Sequence, residues 1–471
     1  MAGIGFLLRK LAAQDNFSGL IRAYFHSTLA AAGPWIFIVI SIGSVNFLTY
    51  TFFGLSEIED FHSIIIYDFV FSFILAAPIY MVSARYVADC LYAKDLSPLP
   101  GILIASLIFV LILTLPVATV LYFFYAHLSP ALIILSVVNF ILFSQTWVTT
   151  LYLGCIRNFR AITASWIAGM ILTIICINIL GKDYGSAGMM LGVNIGFTLV
   201  LFGLTASGLA EYPYSFKIPE KFRYYFHRYK GLFWSGFFLF AGMWVDKVIM
   251  WCAPEAVIHD NNLRTFPVYD GGMFFSYLTI IPVLALFVFS LETNFYISYF
   301  RYIQHIERNS PFSIIEEEKK NIIKEITTNG RSYMMLQGSI AFVVILLAPQ
   351  IFDWIGLDFL QLEIFRFGVL GAFFAALNLF VFIFLSYFDA QKPMVVASVT
   401  LFATNVILTL ICLNLGFAYY GLGFCLSMIL TFGLGAIMLV RLLNNLTYHV
   451  FISNVVKNHE INTSCQVKDV M

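Results

Sequence analysis

Long apolar stretches alternate with short polar ones along almost the whole chain. Twelve of these stretches hold about 20 or more mostly apolar residues, the length an α-helix needs to cross a bilayer core about 30 Å thick. The pattern therefore predicts an all-α membrane protein with about twelve transmembrane helices, at residues 28–53, 64–82, 101–125, 131–153, 162–180, 187–209, 232–252, 273–291, 334–352, 365–388, 394–417 and 421–443.

The composition agrees with a membrane location. Of the 471 residues, 61% are hydrophobic and 11% are charged, whereas soluble domains carry about 25% charged residues. The 26 basic and 26 acidic residues balance, so the composition gives no sign of nucleic-acid binding.

The distribution of Lys and Arg predicts the orientation. Alternate connecting segments, starting with the N-terminal one, hold 22 of the 26 basic residues, and the opposite side holds only Lys182 and Arg264. Cytoplasmic segments are rich in Lys and Arg, so both termini are predicted to be cytoplasmic. The predicted organisation is a cytoplasmic N-terminal segment (1–27), an N-lobe (28–209), a linker (210–231), a C-lobe (232–443, with a cytoplasmic loop at 300–332) and a tail (444–471).

The second half of the chain resembles the first. Residues 171–178 match residues 407–414 at six of eight positions, and Tyr184-Gly185 then aligns with Tyr420-Gly421. Weaker matches pair Tyr67-Asp68 with Tyr269-Asp270, Pro78 with Pro282, and the segment around Gly33 with that around Gly242. The matches pair helix five with eleven, helix two with eight, and helix one with seven, so each pair lies six helices apart. This predicts two six-helix repeats that run the same way through the membrane, an architecture suited to alternating access.

Ionisable residues inside a membrane are costly and commonly face a water-filled path or a partner. The candidates for a translocation path are Asp68, Asp246, Lys247, Asp270, Glu292 and Arg366. A structural role is the alternative for the repeat-related pair Asp68 and Asp270, since a helix N-terminus also stabilises a carboxylate. Pro34, Pro78 and Pro282 are candidates for helix kinks that free backbone carbonyls toward a cavity.

The second large cytoplasmic loop contains a predicted amphipathic helix. Ile315, Ile322, Ile323 and Ile326 share one face, opposite charged side chains. Such a helix is expected to lie on the membrane surface, and the alternative is that it docks a partner.

Enzyme motifs are missing from the sequence. It has no phosphate-binding loop of the GxxxxGK[ST] type, no HExxH and no GxSxG, and its outer loops are too short for a catalytic domain. The seven cysteines form no CxxC pair, and no cofactor or metal site is predicted. Energy for transport must then come from an ion gradient, from a partner, or from pushing by a polymerase.

Three segments carry a resemblance to a known family: residues 1–13 (MAGIGFLLRKLAA), 29–37 (LAAAGPWIF) and 269–296, of which the last is the most specific. In these the chain resembles the PelG family of Pel exopolysaccharide exporters, within the multidrug/oligosaccharidyl-lipid/polysaccharide flippase superfamily. The resemblance extends through the twelfth helix and implies a flippase-like two-lobe bundle.

The resemblance also implies a function and partners. The expected substrate is an N-acetylgalactosamine-rich polymer, exported across the bacterial inner membrane for biofilm matrix. The expected partners are the cytoplasmic glycosyltransferase PelF and the membrane proteins PelD and PelE, with the loops at 211–230 and 301–331 as candidate docking sites for the transferase. Relatives that flip diphosphate-linked oligosaccharides resemble one another in having cationic cavities. Only Lys247 and Arg366 could supply such charge here, which favours a neutral glycan.

Other functions remain open at this point. A flippase for lipid-linked oligosaccharides has the same fold, and so does a drug or small-solute antiporter. A membrane-embedded glycosyltransferase would need catalytic groups on a substantial outer loop, which the sequence does not offer.

Overall fold

Helices account for most of the described chain. The computed structural model describes residues 55–156, 158–212, 214, 216–290, 295–355 and 358–451. Helices are numbered from the first described one: α1 (Leu55–Ala93), α2 (Leu99–Thr119, continued by a π-helix, Val120–Tyr125), α3 (Pro130–Ile156), α4 (Phe159–Glu211), α5 (Phe222–Arg228), α6 (Lys230–Met250), α7 (Pro267–Leu278), α8 (Ile281–Ser290), α9 (Tyr296–Glu307), α10 (Phe312–Ile355), α11 (Leu362–Tyr387), α12 (Gln391–Leu415) and α13 (Leu422–Asn444).

Within the described ranges, nine helices are long and apolar enough to cross a membrane: α1, α2, α3, α4, α6, α10, α11, α12 and α13. The all-α membrane fold is thereby confirmed, and the number of spans is consistent with twelve. The first predicted span, 28–53, lies outside the described residues. The fifth and sixth spans form the single long element α4, and the eighth is divided between α7 and α8.

The element α4 is a helical hairpin. At 1.5 Å per residue its 53 residues would extend about 80 Å, far more than a bilayer. Gly185 has φ 57° and ψ −136°, a conformation open mainly to glycine, and it reverses the chain there. A Cβ at Gly196 would lie 1.8 Å from Thr173 Oγ1, and one at Gly192 would lie 2.7 Å from the Ile177 nitrogen. The two arms therefore pack backbone against backbone, as small residues allow.

The predicted repeat recurs in this hairpin and in the α12–α13 pair. Gly421, which the sequence aligns with Gly185, also has a positive φ, 88°. The aligned residues Asn178 and Asn414 make the same bond, each donating from Nδ2 to the carbonyl four residues earlier, at 2.8 and 2.9 Å. Equivalent positions thus share the positive φ and the Asn side-chain bond, whereas ψ differs, at −136° for Gly185 and −23° for Gly421.

Two predictions about helices need correction. The eighth span begins earlier than predicted, at Pro267, and breaks between Leu278 and Ile281. Pro282 lies in the first turn of the second piece, where its missing N–H leaves no helical hydrogen bond unmade. The apolar face of the N-terminal part of α10, predicted to be cytoplasmic, is covered by the protein itself and is not free to lie on a membrane or dock a partner. Ile315, Ile322 and Ile326 are at most 4% exposed, because they belong to the hydrophobic core that also contains Tyr302 of α9.

Candidate translocation path and its outer clasp

Aromatic side chains fill the line along which α1 meets α6. Phe73 lies 4.6 Å from Phe240, and Phe69 lies 5.4 Å from Trp244, both edge to face between ring centroids. Phe69 and Phe73 are four residues apart on α1, and Phe240 and Trp244 are four residues apart on α6, so the two residues of each helix lie on one face. Behind them Trp147 of α3 contacts Phe69 at 5.5 Å and Phe73 at 4.8 Å. These five residues are called the aromatic seam, and α1 brings the first half of the chain to it and α6 the second.

Neutral hydrogen-bonding groups are concentrated on the half of α3 that contains Trp147, and Gln145 of this group donates from Nε2 to the Leu107 carbonyl of α2 at 2.9 Å. Trp147 Nε1 donates to Ser72 Oγ at 3.2 Å, and Trp166 Nε1 donates to Thr150 Oγ1 at 3.3 Å. In the described part of the chain, Oε1 of Gln145 and Oγ1 of Thr146 are buried and make no hydrogen bond. Sequence reasoning missed this group, although the polar run 144–150 within an apolar helix was a visible signal.

Asp68 lies inside the first half of the chain and not on the seam. It is fully buried, and its two oxygens accept from Tyr122 Oη and Asn139 Nδ2, each at 2.6 Å. Tyr122 belongs to the π-helix at the end of α2, and Asn139 lies on α3. These two donors are neutral and lie on different elements, so the carboxyl group of Asp68 connects α1, the π-helix and α3, while its neighbour Phe69 belongs to the seam.

Asp246 and Lys247 form a buried ion pair on α6. Lys247 Nζ lies 3.3 Å from Asp246 Oδ2, which also accepts from Tyr269 Oη at 2.8 Å. The ammonium lies 4.8 Å from the ring centroids of both Trp244 and Tyr277, at cation–π distance. Lys247 is therefore adjacent to the seam, but its charge is balanced within its own half.

The remaining candidates do not join these groups. Asp270 accepts from Trp251 Nε1 at 3.0 Å and from the Phe266 nitrogen at 3.2 Å, in the first turn of α7. It thus has different partners from Asp68, its equivalent in the repeat. Arg366 pairs with Glu363 at 2.7 Å near the start of α11, with both side chains partly exposed. Pro78 lies within α1, and Glu292 and Pro34 lie outside the described residues.

A short hairpin from the second half of the chain binds the first half at its outer end. Strands β1 (Val257–Ile258) and β2 (Arg264–Thr265) pair antiparallel. Between them, Asn261 Nδ2 donates to Asp60 Oδ1 at 2.8 Å and to Ser63 Oγ at 3.0 Å, both on α1. The Asn261 carbonyl accepts from the His127 nitrogen at 2.9 Å. The hairpin and these partners are called the outer clasp.

Tyr67 of α1 extends the clasp. Its hydroxyl donates to the Arg264 carbonyl at 2.9 Å, and its ring stacks on Trp251 at 4.5 Å. From the sequence alone, the segment that forms this hairpin was identified only as the longest of the predicted extracytoplasmic loops. The Asp-Asn-Asn turn at 260–262 was a signal for a hairpin, but no sequence signal identified its partners on α1. The clasp connects the two halves at the end of the seam that is predicted to be extracytoplasmic.

A family model for PelG, the exopolysaccharide exporter family EPS-E, matches residues 1–451. The chain belongs to the PelG family. This confirms the resemblance carried by its first 37 residues and by residues 269–296, and it identifies the chain as a member of a family of transporters, not of enzymes. No curated protein matches the chain.

Solved structures with a similar fold are transporters of the MOP superfamily. An Asp-to-Asn mutant of the Vibrio cholerae MATE transporter VcmN matches with a TM-score of 0.65 and 11% identity, covering 94% of this chain and 98% of that one. An outward-facing MATE transporter matches with a TM-score of 0.61 and 10% identity, covering 90% and 96%. A MOP transporter from Pyrococcus furiosus matches with a TM-score of 0.59 and 12% identity, over the same shares. At these identities the likeness shows the fold alone.

Proposed function

We propose that this chain exports a Pel-type, N-acetylgalactosamine-rich exopolysaccharide from the cytoplasm to the periplasm during biofilm matrix production. Its place is the bacterial inner membrane, with both termini cytoplasmic, as the distribution of Lys and Arg favours. PelF is the proposed cytoplasmic partner that supplies the polymer, and PelD and PelE are the proposed membrane partners.

The aromatic seam carries this proposal. Sugar rings present flat C–H faces that pack against aromatic rings, while their hydroxyl groups need neutral donors and acceptors. Trp147 and Trp244 bring aromatic rings to the seam from α3 and α6, and Ser72 Oγ, which accepts a hydrogen bond from Trp147, is a neutral hydroxyl group in contact with it. An extended glycan offers the same two surfaces in every residue, so it can advance between equivalent contacts.

The state of the two candidate cations, Lys247 beside the seam and Arg366 away from it, favours a neutral glycan over a diphosphate-linked one. Lys247 is balanced by Asp246 at 3.3 Å, and Arg366 is balanced by Glu363 at 2.7 Å. An incoming diphosphate would have to compete with carboxylates for both cations. Export by alternating access then requires the seam to open and the outer clasp to release on the periplasmic side.

Binding of defined glycans to the purified protein tests the proposal. N-acetylgalactosamine oligosaccharides are expected to bind, and Trp147→Ala is expected to weaken binding up to about tenfold, the contribution of one aromatic contact. Trp354→Ala is the matched control, because Trp354 is 88% exposed, away from the seam. Tighter binding of an undecaprenyl-diphosphate sugar than of the free oligosaccharide would instead support a flippase for lipid-linked substrates.

A further inference from the structure

The linker between α4 and α6 packs against the N-terminal end of α2. It leaves α4 at Glu211 and enters α6 at Lys230, on the side predicted to be cytoplasmic. A Cβ at Gly101, in the first turn of α2, would lie 2.1 Å from the Lys217 carbonyl oxygen. The linker backbone therefore rests directly on the start of a membrane-spanning helix.

One face of this linker is packed against the protein. The ring of Tyr225 stacks on that of Tyr86 at 3.8 Å, and Phe226 lies 4.9 Å from Phe109, edge to face. Tyr229 is 3% exposed. These contacts fix the linker against the protein, and the side chains that they do not cover remain exposed.

The linker also carries exposed apolar and basic side chains, together with the exposed acidic residue Glu220. Its apolar members are between 42% and 58% exposed, namely Tyr214, Phe216, Ile218 and Tyr224. Its basic members are also exposed: Lys217, Lys221, Arg223 and Lys230. Aromatic side chains concentrate at the membrane interface, and basic side chains near the cytoplasmic leaflet are attracted to anionic lipids. The same combination on an interfacial segment produces membrane-surface binding.

We propose that the exposed face of the linker binds anionic phospholipid headgroups of the cytoplasmic leaflet. Tyr214, Phe216 and Ile218 enter the interface, and Lys221 and Arg223 contact the phosphates. The linker joins the two halves of the transporter, so this bound lipid lies at the joint about which they move. The inference does not depend on which substrate is carried.

The cytoplasmic part of α10 offers a matched control. Lys320 and Lys324 are also exposed cations, but they precede the predicted span that starts at residue 334 by at least ten residues. At 1.5 Å per residue they lie about 15 to 20 Å along the helix from the membrane boundary. Lys320 and Lys324 therefore carry the same charge as Lys221 and Arg223 but lie farther from the lipid.

Native mass spectrometry of the full chain, titrated with dioleoylphosphatidylglycerol or dioleoylphosphatidylcholine, tests the proposal. The wild type is expected to prefer phosphatidylglycerol. Lys221→Gln/Arg223→Gln should weaken that binding about twenty-five-fold, at roughly fivefold for each basic side chain, while Lys320→Gln/Lys324→Gln should leave it unchanged.

Three results would overturn the proposal: equal affinity for both lipids, equal losses in both double variants, or unchanged lipid binding in Lys221→Gln/Arg223→Gln. If Lys221→Gln/Arg223→Gln kept its lipid binding but failed to retain a cytoplasmic protein that copurifies with the wild type, the surface would belong to a protein partner. Circular dichroism and size-exclusion profiles of each variant show whether it is folded, and Lys221→Arg/Arg223→Lys should retain the lipid preference.

Discussion

Removal of the Asn261 side chain should open the outer end of the transporter. In Asn261→Ala the hydrogen bonds to Asp60 and Ser63, now 2.8 and 3.0 Å long, are lost. A hydrogen bond to a charged group contributes about 1.5–3 kcal/mol and a neutral one about 0.5–1.5 kcal/mol. The clasp is partly exposed to solvent, so we take the low end of the sum, about 2 kcal/mol. That energy lowers the ratio of clasped to unclasped protein about thirty-fold.

Reactivity of a cysteine beside the seam measures this opening. Ser72 is suitable because it is fully buried and accepts a hydrogen bond from Trp147. The exposed Cys252 is replaced by serine so that it does not react. With Ser72→Cys in this background, a membrane-impermeant maleimide added from the periplasmic side should react up to about thirty times faster when Asn261→Ala is present.

Asn414→Ala is the matched control for this measurement. Asn414 lies near the C-terminal end of α12, and among the described residues it donates only to the Leu410 carbonyl of its own helix. Its removal should leave the labelling rate of Ser72→Cys unchanged. Equal rates in wild type, Asn261→Ala and Asn414→Ala would refute the assignment of the hairpin as a clasp.

Two further predictions concern stability in detergent. Lys247→Met should lower the free energy of unfolding by about 3 kcal/mol, because it leaves Asp246 buried without its counter-charge, whereas the double variant Asp246→Asn/Lys247→Met should lose much less. A double variant no more stable than Lys247→Met would contradict this account of the pair. Gly196→Ala should destabilise the α4 hairpin by about 1–3 kcal/mol through overpacking. Gly154→Ala, with no atom within 4 Å of its added Cβ, should not lower the unfolding temperature, and equal shifts in the two variants would refute the packing argument.

The sequence predicted those features that depend on long apolar runs or on backbone geometry. Membrane spans follow from length and apolarity, so most of the runs coincide with helices. The aligned glycines Gly185 and Gly421 share a positive φ, because the requirement for a missing Cβ is local and is retained in both repeats. The break before Pro282 was less visible, since a proline in an apolar run is compatible with either a kink or a new helix.

Partners of polar side chains were not predictable in the same way. Asp68 and Asp270 occupy equivalent positions, but one accepts from Tyr122 and Asn139 and the other from Trp251. Those donors lie on other helices, and no pattern along the chain shows which helices meet. The cytoplasmic helix illustrates the same limit: its apolar face was visible, but not that the protein itself covers Ile322.

The candidate path was missed for a related reason. Phe73, Trp147, Phe240 and Trp244 are apolar residues in apolar helices, so nothing in the sequence separated them from lipid-facing aromatics. Charged residues attracted attention because they are rare in membranes, yet Asp246 and Lys247 neutralise each other. For a neutral glycan, the informative residues were the uncharged polar ones beside the seam.

Reconstituted export tests the central claim most directly. Proteoliposomes containing the chain, with PelF-type transferase and UDP-N-acetylgalactosamine on the face that carries the termini, are treated with an external or internal glycosidase to locate the polymer. The account predicts polymer on the opposite side of the bilayer only when the chain is present, and up to about tenfold less with Trp147→Ala than with Trp354→Ala. Polymer that stays on the side of synthesis, even after PelD and PelE are added, would contradict the assignment of this chain as the exporter.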